Sequence, residues 1–126
     1  SPSHFSRKVR LISLLAFLHS VHMADRYTIS DIASAIEFAE DGIVSKTILD
    51  TPESKVVLFC MAGGQSLSEH TASMPATIHF LGGSGKVRLG EDEHPVKEGV
   101  WVHMPAGQLH AIDAEADLVF LLTLFR

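Results

Sequence analysis

Four of the chain's eight histidines, His70, His79, His103 and His110, sit in or beside apolar runs rather than in polar tails. Imidazole serves as a neutral ligand for a divalent ion, as a hydrogen-bond acceptor and as a proton carrier near neutral pH, so the placement of these four decides which chemistry is open. The stretch "MPAGQLH" fixes Pro105, Gly107 and His110 in a Pro-x-Gly-x-x-His spacing, and "GQSLSEH" brings Glu69 next to His70. Zinc and non-haem iron sites take three or four protein ligands, so any two of the histidines need further donors, for which His79, His103 and Glu69 are the candidates. His4, His19, His22 and His94 lie in the N-terminal tail or in a turn, positions that suit solvated side chains. Cys60 is the chain's single cysteine. Set in "VVLFCMA", it reads as a buried, inert thiol, and no internal disulfide or thiolate cluster can form.

The elements that must carry these residues are strands. From Ile43 onward the runs "VVLFCMA", "ATIHFL", "KVRLG", "GVWVHM" and "LVFLLTLF" are separated by Gly, Pro and Ser. Five or more short strands without intervening helices predict an all-β sandwich or barrel. Gly82, Gly83 and Gly85 bracket one hairpin, and "GEDEHP" at 90–95 reads as another turn with a solvated acidic run. Upstream, "SDIASAIEFAEDG" carries Ile32, Ile36 and Ala39 on one helical face, with Ser30 as N-cap and Gly42 as stop, and predicts one short helix near 31–41. Pro105 with Gly107 makes a turn that delivers His110 to the start of the next strand. Strand residues of equal parity share a face, so Glu69 points away from His70. "VWVHM" is apolar on both faces, and alternation leaves two options for the cavity side: Trp101 with His103, or Val100 with Val102 and Met104.

Length and charge bound what such a barrel does. The chain has the size of one domain, and a net charge of −5 with 20% charged residues is that of an ordinary globular protein. Its only basic cluster is Arg7, Lys8 and Arg10, so it lacks the electrostatic footprint of a nucleic-acid binder. "RKVRLISLLAFLH" has the basic start and apolar stretch of a signal peptide, but a His19 to His22 segment follows in place of a small-residue cleavage pattern. The stretch is also too short to cross a bilayer, so no membrane partner is expected. Residues 1–22 therefore read as an extension, either vector-derived ahead of a natural start at Met23 or an amphipathic segment packing on a partner subunit. Residues 23–126 read as a single domain, and an unpaired cysteine without a convincing signal makes the cytoplasm the expected compartment.

Two stretches together resemble the cupin superfamily of small double-stranded β-helix, jelly-roll-like barrels. In the first, Gly64, "QSLSE", His70 and Gly83 keep the frame of that family's first motif; in the second, Gly99, "VWVHM", Pro105, Gly107, "QL" and His110 match, and only the closing position, Ala114, departs. The resemblance covers roughly residues 45–126 and implies a cupin barrel preceded by the short helix. Metal-binding cupins take ligands at the positions held here by His70, Ala72, Ala76 and His110, so two of four survive. The ligand position at 76 implies that Ala76, Ile78 and Phe80 face inward and Thr77, His79 and Leu81 outward. It also implies that the strand of His79 lies beside that of His103, allowing the two an outer-face network or a place beside His70 and His110.

Two functional readings follow. In one, His70, His110 and His103 hold a divalent ion (Zn, Fe, Mn or Ni) in a cavity lined by Ile78, Phe80, Val102 and Met104, which receives a small, partly apolar ligand. In the other, Ala72 and Ala76 mark a barrel that has lost its metal and binds or senses a small molecule without catalysis, since no carboxylate is placed for acid/base work. Whether the protein is an enzyme stays open between them. "LVFLLTLF" is apolar on both faces, so this strand is central or covered by another chain, and with the resemblance it predicts a homodimer.

Overall fold

The computed structural model describes residues 26–126. The chain divides into one unit ending at Asp31 and a second spanning Ile32–Arg126. Arg26 to Asp31 carry neither helix nor strand, and the readings made for residues 1–22 lie outside the described residues.

The second unit opens with a one-turn helix, α1 (Ile32–Ala35), and continues as strands β1 (Ile43–Asp50), β2 (Ser54–Met61), β3 (Ser66–His70), β4 (Ala76–Gly82), β5 (Ser84–Leu89), β6 (Asp92–Lys97), β7 (Trp101–Met104), β8 (His110–Ala114) and β9 (Leu118–Phe125). They form two antiparallel sheets, a five-stranded one ordered β1-β2-β9-β4-β7 and a four-stranded one ordered β3-β8-β5-β6. Successive strands alternate between sheets from β2 to β5 and again from β6 to β9, which closes the pair into a barrel.

The helix is shorter than its sequence pattern predicts. Ile32 and Ala35 find an apolar surface, but Ile36 and Phe38 stay exposed and Glu37 reaches to Lys46 at 2.9 Å. A second turn would bury nothing, and a short helix without packing is marginal in water. The acidic run "GEDEHP" also differs from expectation. Only Gly90 and Glu91 turn, with Gly90 at φ 62°, and Asp92 to Pro95 already pair with β5 as an edge strand. Pro95 is tolerated there because an edge strand leaves one row of amides unpaired.

Between the sheets Met61, Ile78, Phe80, Val87, Val96, Ile112, Leu118 and Phe120 form the core, each no more than 3% exposed. Phe59 stacks on Phe120 with centroids 5.0 Å apart, and Phe80 meets the same ring at 5.4 Å. Each fully buried side chain of this size contributes about 1.5–3 kcal/mol. A second, smaller cluster of Leu58, Cys60 and Val119 lies on the outer face of the five-stranded sheet, with Ile32 and Ala35 of α1 packed against it. This cluster accounts for the doubly apolar sequence of β9, a strand paired on both sides and buried over part of both faces.

Candidate functional site

The turn that ends β7 works as the spacing of "MPAGQLH" predicts. Gln108 N–H donates to the Pro105 carbonyl at 3.2 Å, and Gly107 takes φ 82°, the positive value a type II turn demands at its third residue. β8 then begins at His110.

On the neighbouring strand, His70 reaches the same level by a different device. Ser66 pairs with Asp113 and Leu67 with Ile112, but His70 pairs with His110, so β3 holds one residue more than β8 over this interval. That β-bulge reverses the parity of β3. Regular pairing would set Glu69 opposite His110; the bulge turns Glu69 outward, where Arg88 lies 3.5 Å away, and turns His70 inward.

The two imidazoles stand 4.1 Å apart between centroids, tilted by 59°. They are held alike, with Nδ1 of His70 2.8 Å from the Ser68 carbonyl and Nδ1 of His110 2.9 Å from the Gln108 carbonyl. A carbonyl oxygen only accepts, so each neutral ring carries its proton on Nδ1 and keeps a lone pair on Nε2. Among the described residues no other hydrogen bond engages either ring.

Both rings line a cavity of about 90 Å³ whose other walls are Phe59, Leu67, Ile78, Ile112, Phe120 and Leu122. Ile78, Ile112, Phe120 and His110 form its buried floor, while His70 is exposed and Phe59, Leu67 and Leu122 are half-buried at the mouth.

Ile78 lines this cavity, whereas its other walls are not the ones chosen from the sequence. Phe80 and Met104 are buried in the core and Val102 packs against it, but none of the three lines the cavity. His103 does not join His70 and His110. It lies exposed on β7 opposite Thr77, on the outer face that also carries His79 and Trp101. Short alternation places Val102 and Met104, not His103, toward the interior. The walls that sequence reading missed, Phe59, Leu67, Ile112, Phe120 and Leu122, had a signal in part: Ile112 shares parity with His110, and Phe120 with Leu122. Leu67 had none, because the bulge sits between it and His70.

The donor set can be tested against the metal that the fold family implies. Among the described residues no three His, Cys, Asp or Glu side chains gather as a metal site needs. Two imidazoles on one zinc ion at tetrahedral angles hold their ring centres about 5 Å apart, further than the 4.1 Å seen here. Two neutral ligands would also leave a full double charge among six apolar side chains, an environment that penalises unpaired charge severely. These residues do not fit a resident metal ion.

Two interleaved antiparallel sheets closed over an imidazole-walled cavity define a double-stranded β-helix barrel. The chain belongs to the cupin domain family, whose family model matches residues 57–124. A conserved protein of unknown function from Streptococcus pyogenes is 22% identical, covering 81% of this chain and 90% of that one with a TM-score of 0.71. A cupin superfamily protein from Desulfitobacterium hafniense is 21% identical, with coverages of 80% and 92% and a TM-score of 0.72. A Cupin 2 conserved barrel domain protein from Leptotrichia buccalis is 32% identical over 75% of this chain and 46% of its own, with a TM-score of 0.70. No curated protein matches closely enough to count as a relative. Among the described residues no helix is long and apolar enough to cross a membrane.

Proposed function

We propose that this cupin barrel binds a small molecule between its sheets, against His70 and His110, without a resident metal ion. One observation carries the reading: two adjacent imidazoles, each tied through Nδ1 to a backbone carbonyl, form the polar wall of an otherwise apolar cavity. A few placed polar groups in an apolar concavity are the usual make-up of a small-molecule site. Among the described residues no carboxylate or hydroxyl lines it, so any proton transfer would fall to the two imidazoles alone, and binding or sensing is the reading proposed.

Metal analysis by mass spectrometry on untagged protein, beside a His70→Ala, His110→Ala double variant, tests this directly. Less than a tenth of an equivalent of Zn, Fe, Mn or Ni in both, before and after incubation with each metal, is the expected result. Near-stoichiometric metal in the parent that vanishes in the variant would overturn the metal-free reading. We further propose that the protein works as a cytoplasmic homodimer that engages neither nucleic acid nor membrane. Sedimentation as a monomer across micromolar concentrations would sink the dimer.

A further inference from the structure

The cavity's lining also defines the chemical class of its occupant. We infer, building on the small-molecule reading above, that the site takes uncharged hydroxyl compounds, with the hydroxyl shared between the two Nε2 atoms and the apolar body laid on the aromatic floor.

Charge is excluded first. Among the described residues no Lys, Arg, Asp or Glu lines the cavity. The charged pair nearest in sequence and register, Glu69 with Arg88, is turned to the outer face by the bulge and compensates itself there. While the rings are neutral, a carboxylate or phosphate ligand would meet six apolar walls and two nitrogen lone pairs, with no fixed cation to replace its hydration. An ammonium would find acceptors but no counter-charge.

Polarity comes next. Because both Nδ1–H groups are spent on the Ser68 and Gln108 carbonyls, the wall offers two acceptors and no donor while the rings are neutral. A ligand must therefore supply the proton of the hydrogen bond. A ketone, ether or hydrocarbon cannot; a hydroxyl can. Size follows from the volume. An apolar cavity of about 150 Å³ holds benzene, so the 90 Å³ here accommodates a smaller body inside or an aromatic ring that projects through the mouth between Phe59, Leu67, Leu122 and His70.

Phenol, neutral at pH 7, serves as the probe, beside benzene, benzoate and benzylammonium, each titrated into isotope-labelled protein while the methyl signals of Ile78 and Leu122 are followed by NMR. Phenol is expected to bind about tenfold more tightly than benzene, the worth of one hydrogen bond to an otherwise idle acceptor. The two ions are expected to leave the signals unmoved. In a His70→Leu, His110→Leu double variant, which removes both acceptors, the preference for phenol over benzene should fall below about threefold, with benzene binding retained as the sign that the barrel is folded. Equal binding of benzene and phenol, or tighter binding of either ion, overturns the hydroxyl class and leaves the cavity as a binding site. If none of the four probes moves Ile78 or Leu122, the small-molecule reading itself fails.

Discussion

Along β9 the inward side chains Leu118 and Phe120 are sealed, 0% and 1% exposed, whereas Leu122 and Leu124, two and four residues further on, are only half-buried. β8 runs the opposite way past them, from His110 at the cavity end to Ala114 at the sealed end. The two ends of the interior use similar apolar residues and differ in how closely the backbones approach. At the sealed end a Cβ on Gly83 would overlap the Asp117 carbonyl oxygen, and one on Gly85 that of Asp113. At the other end the histidine pair stands where a filling side chain would go. Closure here is a matter of backbone contact, and the cavity is what remains where that contact stops.

The strongest way to break the contrast is to pry open the sealed end. Gly83→Ala combines an overlap with backbone and a φ of 86°, so it should lower the unfolding free energy by about 3 kcal/mol or more in urea denaturation. Leu118→Ala and Leu122→Ala sharpen it as a pair. The first should cost about 3–4 kcal/mol, the second closer to 1 kcal/mol, because a cavity wall can relax and a sealed core cannot; equal costs would mean that both ends are packed alike. Smaller still is the expected effect of His110→Leu. It should be neutral or stabilising by about 1 kcal/mol on thermal denaturation, since a polar ring is replaced by an apolar side chain in apolar surroundings, while the preference for a hydroxyl ligand over its hydrocarbon analogue weakens.

The smallest effect lies outside both ends, at the C-terminal clasp. Nη1 of Arg126 donates to the Asp50 carboxylate at 2.6 Å and to the Thr51 carbonyl at 2.7 Å. The hydrogen bond from Arg126 holds the Asp50 carboxyl below its ordinary value. A depressed folded value means that the contribution is present above about pH 4 and lost as pH falls through the folded value. Carbon NMR should show the Asp50 midpoint rising to the ordinary range in Arg126→Ala, with the cavity signals unchanged.

Much of the barrel was legible from residues alone because strands with one buried face write their period into the chain. β4 alternates as read, with Ala76, Ile78 and Phe80 buried and His79 exposed, and the turn at Pro105 and Gly107 follows from backbone preferences that neighbours do not alter. β6 was not legible, since Val96 is the one buried residue of this edge strand and a single position imposes no period. The helix was overread because its apolar stripe has a partner only for its first turn. At the candidate site, the resemblance singled out His70 and His110, whose rings the fold brings together, but not the residues around them, because which side chains reach a cavity depends on the approach of two sheets that pair residues far apart in sequence.

The extra residue in β3 carries a consequence for how this site can change over time. Loss of the codon for Ser68 would remove the bulge and leave His70 opposite His110 on a regular strand, whereas regular pairing with every residue retained would set Glu69 against His110 and carry His70 to the outer face. A two-imidazole wall would become an imidazole and a carboxylate with no side chain substituted. The distance between a neutral binding pocket and one with a carboxylate is then a matter of register along one strand, and relatives of this chain that lack the extra residue should keep the imidazole pair without the bulge.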